Sequence, residues 1–200
     1  MSKILNHTGS STVAVDLSSI VELTDERMFE LCRANRDLRL ERTAEGGLVV
    51  MPPAGGQSSR RNAQITFQLA AWANQDRTGI VFDSSGGFKL PDGAIRAPDA
   101  AWVRLTAWNK LASEDKEKFV PLCPDFIIEL RSSSDAVSDL QDKMQEYLDN
   151  GAQLGWLIDP QEKRVYVYRQ QAQTETLDNP QTIAGDPVLH GFVLDLQEIW

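Results

Sequence analysis

The sequence predicts an α/β fold: a central mixed β-sheet flanked by helices, with an N-terminal helix and a β-hairpin ahead of it. Three observations carry this. Phe126–Leu130 and residues 154–158 are short apolar runs of strand length, separated by a stretch whose apolar residues recur at helical spacing. Residues 38–42 alternate apolar and polar, turn at Glu45, Gly46 and Gly47, and return through Leu48–Met51, the pattern of a hairpin. Two hundred residues at 42% hydrophobic and 24% charged suffice for one substantial core.

Taken in order, residues 1–20 are rich in Ser and Thr and are expected to be loosely ordered, apart from a short strand at 13–17. Residues 21–200 then form one domain. Thr24 is a suitable N-cap, with Asp25 and Glu26 at the positive end of the helix dipole and Met28, Leu31 and Cys32 as the apolar stripe. After the hairpin, Pro52, Pro53, Gly55 and Gly56 break the pattern. Ser58 or Ser59 should cap a second helix carrying Ile65, Leu69 and Trp72. Residues 79–82 and 88–90 read as strands, and a further strand should bear Asp99. The charged segment between Thr106 and Val120 reads as a surface helix or loop. Phe126–Leu130, continuous except for Glu129, is predicted to be a central strand covered on both faces. Ser132, Ser133, Ser134 and Asp135 offer caps for a third helix, buried along Val137, Leu140, Met144, Tyr147 and Leu148 and stopped by Gly151. Strands at 154–158 and 165–168 follow, and the tail over 188–200 should end in a strand and a helical turn.

Composition excludes several classes. No apolar stretch approaches the roughly 20 residues of a membrane span, and the first 20 residues lack the basic start and apolar block of a secretion signal. A cytoplasmic protein with no membrane partner is expected, with Cys32 and Cys123 as reduced, mostly buried thiols. His7 and His190 have no catalytic motif around them, which argues against Ser/His/Asp and Cys/His hydrolases. A net charge of −9 opposes indiscriminate nucleic-acid binding. Arg33, Arg36, Arg39 and Arg42, and the pair Arg60 and Arg61, read as solvated helix faces, with a local basic patch as the alternative.

Two carboxylates interrupt apolar runs: Asp99, after Pro98 and before Ala100, Ala101, Trp102 and Val103, and Glu129 within Phe126–Leu130. Ionised side chains are rarely buried unless paired or metal-bound. Strand alternation puts Ile127, Glu129 and Arg131 on one face, and helical spacing puts Lys143 one turn from Asp139 and Tyr147, at the sheet–helix boundary. Two carboxylates and a lysine suit a site for Mg²⁺ or Mn²⁺ acting on a phosphoryl group. A buried ion pair of Glu129 with Arg131 or Lys143, with Asp99 in a turn, is the plainer alternative.

The stretches LRLERTAEGGLVVMPP (38–53), GFKLPDGAIRAPDAAWV (87–103), PDFIIELRSSSD (124–135) and LQDKMQEYLDNGAQLGWLIDP (140–160) resemble the putative restriction endonuclease family, greatly expanded in cyanobacteria, of the PD-(D/E)XK nuclease superfamily. The resemblance covers roughly residues 20–200. It implies a restriction-endonuclease-like core, an endonuclease that hydrolyses DNA phosphodiesters with Mg²⁺ or Mn²⁺, and a homodimer. It assigns Asp99 and Glu129 as metal ligands, joined by the backbone carbonyl of Leu130. The lysine of the motif is replaced by Arg131, which is always protonated and is expected to contact the phosphate instead. Lys143 matches the catalytic lysine displaced onto the following helix, and Glu41 matches a family glutamate near the same site. Many relatives carry a His shortly after the Pro-Pro pair, where this chain has Gln57, Ser58 and Ser59. That departure, and the acidic charge, point to the alternative of an inactive nuclease-fold module that binds nucleic acid or a protein.

Overall fold

The computed structural model of the protein describes residues 12–17 and 19–200. Strand β1 (Val13–Val15) precedes helix α1 (Asp25–Ala34), the hairpin β2 (Arg39–Arg42) and β3 (Leu48–Met51), and the long helix α2 (Gly56–Asp76). Next come β4 (Gly79–Asp83), β5 (Phe88–Lys89), β6 (Ile95–Arg96) and β7 (Ala100–Arg104), then two single-turn helices, α3 (Leu105–Trp108) and α4 (Ser113–Lys116). The second half runs β8 (Phe126–Leu130), α5 (Val137–Asp149), β9 (Leu154–Asp159), β10 (Arg164–Arg169), β11 (Glu175–Asp178), β12 (Thr182–Ala184) and β13 (Val193–Asp195). The expectation of loose order over residues 1–20, and His7 with it, falls largely on residues outside those described. Of the strand expected at 13–17, the part over Val13–Val15 forms and pairs with β3.

Six strands in the order β11-β10-β9-β8-β7-β4 make the central sheet. It is mixed: β8 and β9 run parallel, with α5 as their crossover, and every other neighbour is antiparallel. Alternation divides its side chains between two cores. Trp102, Phe126, Ile128, Leu130, Trp156 and Ile158 face α2 and the C-terminal tail, where Ile65, Leu69, Phe192, Leu194 and Ile199 complete the packing. Ile127 and Leu157 face α5, against Met144 and Tyr147. Glu129 lies two residues beyond Ile127 on that α5 face. A second sheet, β1-β3-β2-β6-β5, carries a small cluster of Met28, Leu40 and Ile95 beneath α1.

Several boundaries differ from the sequence expectation. Asp99 precedes β7 by one residue and is not within it. Pro98 has no amide to give a ladder, so pairing starts only after it. Helix α2 starts three to four residues earlier than a Ser58 or Ser59 cap allows, with Gly55 as N-cap and no side-chain bond there. Helix α5 is likewise capped by Ala136, because the Asp135 carboxylate turns back to the Ser132 amide at 2.8 Å. The arginine cluster divides: Arg33 and Arg36 are exposed, whereas Arg39 and Arg42 lie on β2. Arg42 is buried and bonded to Asp25 at 2.7 Å and to the Leu23 carbonyl at 2.5 Å, so it belongs to no solvated face. Cys32 and Cys123 are free and half-buried.

Candidate functional site

Because β7 and β8 are antiparallel, with Ala100 opposite Ile128, the start of β7 lies beside the end of β8. Asp99 therefore reaches the Glu129–Leu130 end of β8. Its Oδ2 accepts from the Leu130 amide at 2.9 Å, and its Oδ1 accepts from Asn62 Nδ2 at 2.9 Å and Arg39 Nη1 at 3.2 Å. Donors from β8, α2 and β2 thus fix one carboxylate. Glu129, on the α5 face, receives the Tyr147 hydroxyl at 3.1 Å, and Lys143 Nζ lies 2.8 Å from the same oxygen, Oε1.

The second sheet supplies the opposite wall. On β2, Leu40 and Arg42 turn toward α1, which leaves Arg39 and Glu41 facing the six-stranded sheet. Glu41 Oε1 accepts from Lys143 Nζ at 2.8 Å and from the Ala97 amide at 3.0 Å, and Oε2 pairs with Arg96 at 3.1 Å. Arg96 holds Glu146 of α5 through two bonds, at 2.5 and 2.8 Å. Lys143 is thereby seated between Glu41 and Glu129.

Burial costs an ion several kcal/mol unless partners compensate, so these environments govern protonation. Burial pushes Glu129 up to about 7; the nearby Asp99 and Glu41 charges add to this and Lys143 opposes it. Burial also acts against ionised Glu41, but Lys143, Arg96 and the Ala97 amide outweigh it and hold Glu41 down at about 2. For Lys143, burial is overcome by Glu129 and Glu41, so its affinity for the proton rises and it stays an ammonium.

These groups line a cleft of about 680 Å³. Its walls include Pro52, Pro53 and Gly55 to Ser58 at the start of α2, Ser132 to Asp135 after β8, and Asp139, Asp142, Lys143 and Glu146 along α5. Gln57 and Ser58 are among them. Among the described residues, seven carboxylates face three basic side chains, so the cleft favours cations. The hard oxygens of Asp99 and Glu129 could hold a divalent ion. Among the described residues no three His, Cys, Asp or Glu side chains form a ready metal cage, which leaves such an ion to two carboxylates, backbone oxygen and water.

Sequence reasoning placed Asp99, Glu129, Lys143, Glu41 and Leu130 at one site, and the structure brings all five to this cleft. Arg131 is not brought there. Its Nη1 pairs with Asp159 at 2.8 Å and its Nε donates to the Asp135 carbonyl at 3.2 Å, and it does not line the cleft. Arg39, Asn62, Arg96 and Glu146 were missed. For Asn62 a signal existed: it continues the buried stripe of Ile65, Leu69 and Ala73 toward the helix start, a polar residue where an apolar one would pack.

A mixed sheet with helices on both faces, entered by an N-terminal helix and hairpin, is the restriction-endonuclease-like class of fold. A crystal structure described as a putative nuclease belonging to DUF820, from Anabaena variabilis ATCC 29413, superposes with a TM-score of 0.62 at 23% identity, covering 75% of this chain and 82% of that one. Residues 25–197 match the family Uma2, described as "Putative restriction endonuclease", and the chain belongs to that family. No curated protein gives a significant match. Among the described residues no helix is long and apolar enough to cross a membrane.

Proposed function

We propose that this protein is a divalent-metal-dependent DNA endonuclease. The observation that carries the reading is the convergence of Asp99 and Glu129 at neighbouring strand ends, with Lys143 Nζ 2.8 Å from Glu129. Asp99 and Glu129 are the side-chain ligands for Mg²⁺ or Mn²⁺. The Leu130 carbonyl joins them, since the carbonyl of a strand residue points to the same edge as its amide, which here faces Asp99. When bound, the ion supplies Lewis acidity toward a phosphoryl oxygen and acidifies a water.

The chain's own residues do the rest. Lys143, kept protonated by its two carboxylates, orients water and offsets charge on the phosphate; as an ammonium it has no lone pair with which to take a proton. Glu41 positions Lys143 and is itself anchored by Arg96 and the Ala97 amide. Tyr147 orients the Glu129 carboxylate. A homodimer acting in the cytoplasm completes the proposal, since two copies of the site would let both strands of a duplex be cut in one encounter.

The test is cleavage of supercoiled plasmid by purified protein in Mg²⁺ or Mn²⁺, against a D99A/E129A double variant. Loss of at least about 100-fold in the variant is expected for removal of the ligands that hold the ion. Equal residual cleavage by both proteins would overturn the proposal. Absent cleavage together with no Mn²⁺ uptake by calorimetry would assign the fold instead to a binding module without catalysis.

A further inference from the structure

Resting on that reading, we infer that Arg39, and not Arg131, is the side chain that contacts the substrate phosphate beside Asp99. Among the described residues, three arginine or lysine side chains line the cleft, and two of them are already committed. Lys143 lies between Glu41 and Glu129 with 13% of its side chain exposed, and Arg96 is clasped by Glu41 and Glu146 with 12% exposed. Arg39 keeps 30% exposure and meets one carboxylate, Asp99, at the long distance of 3.2 Å. Its other bond goes to the neutral Ala97 carbonyl, and among the described residues its buried Nε–H meets no acceptor.

A buried donor without an acceptor is unusual and marks an incomplete arrangement. A phosphate oxygen offers what is missing, in the planar geometry that guanidinium groups recognise. Moving Arg39 onto a phosphate does not strand Asp99, because Asn62 and the Leu130 amide continue to hold both of its oxygens. Arg131 has no such freedom. Its partner Asp159 is fully buried, and although the Gln161 and Glu162 amides hold Oδ1, withdrawing the guanidinium would strip Oδ2 of its partner.

The experiment measures binding of a fluorescein-labelled DNA duplex in Ca²⁺ across a salt series, for wild type, R39M, R131M and, as a remote charge control, R164M. R39M is expected to bind about tenfold more weakly, with a slope of log K against log salt smaller by about one. R131M and R164M should keep the wild-type slope. Calorimetry with Mn²⁺ separates phosphate contact from support of Asp99, since R39M should retain the wild-type affinity for the ion. Wild-type binding by R39M, or a reduced slope in R131M alone, overturns the inference while leaving the endonuclease reading standing. Weakened Mn²⁺ affinity with an unchanged salt slope assigns Arg39 to Asp99 instead and also overturns it. Wild-type protein that takes up neither Mn²⁺ nor DNA removes the reading and the inference together.

Discussion

Glu41 and Glu129 are both buried and both touch Lys143, yet they hold their protons very differently. The difference is in the additional partners: Glu41 also has Arg96 and a backbone amide, whereas Glu129 has a neutral tyrosine hydroxyl and two carboxylates nearby. Stability of the metal-free protein follows from this by linkage. The folded carboxyl of Glu129 titrates at about 7, above its ordinary value of 4.5, so the folded state binds the extra proton between those values. Its contribution therefore falls as pH rises from about 4.5 to 7. Glu41 titrates at about 2 when folded, so the unfolded chain binds the extra proton between 2 and 4.5, and stability is lost as pH drops through that window. Urea denaturation of E129Q at a series of pH values should lack the decline between 4.5 and 7 and keep the loss below 4.5. A decline identical to wild type in E129Q would mean that another group titrates in that range.

Between the elements, close approach of β4 to β7 places the strand that begins immediately after Asp99. Gly79 opens β4 beneath the Trp102 ring, where a Cβ would stand 2.2 Å from Trp102 Cε2. The indole is part of the core and packs on Trp72, so it has little room to retreat. G79A should cost about 1–3 kcal/mol in urea denaturation, the range for overpacking; an unchanged midpoint would show that the ring moves freely. A glycine at the head of a strand is silent about this until the partner strand is known, and elements are legible in just this measure. The cap at Thr24, the central strand over Phe126–Leu130 and the buried stripe of α5 could be read because each depends on local periodicity. The start of α2 could not, since Gly55 caps without a side-chain bond and Ser58 offers a stronger local signal that the structure does not use. Strand β11 escaped notice because Glu175–Asp178 pairs at the edge of the sheet and is largely exposed, so no burial pattern marks it.

The site itself spans both sheets, which explains which of its parts were legible. Asp99 and Glu129 each break an apolar run, a violation visible one strand at a time. The link from Glu41 to Lys143 joins positions 102 residues apart and leaves no local trace. Arg131 misled for a definite reason: strand alternation put it with Glu129, but β8 ends at Leu130, and the parallel register beside Ile158 hands Arg131 to the adjacent Asp159. Arg96 is one clasp between the second sheet and α5, joining β6 to Glu41 of β2 and Glu146 of α5. Among the described residues, the cluster beneath the second sheet buries Met28, Leu40 and Ile95 alone, whereas the central sheet rests on two large apolar clusters. The hairpin wall should therefore open at lower free energy than the central sheet. Hydrogen exchange followed by mass spectrometry is expected to show amides of β2 and β3 exchanging faster than those of β8 and β9. R96M, which strips Glu146 of its cation and Glu41 of one of its two cations, should cost about 3 kcal/mol locally. It should quicken exchange in β2 and β3 by roughly 100-fold, at 1.4 kcal/mol per decade, while β8 and β9 keep their protection. Uniform acceleration through both sheets would instead mean that the clasp supports the whole molecule as one cooperative unit.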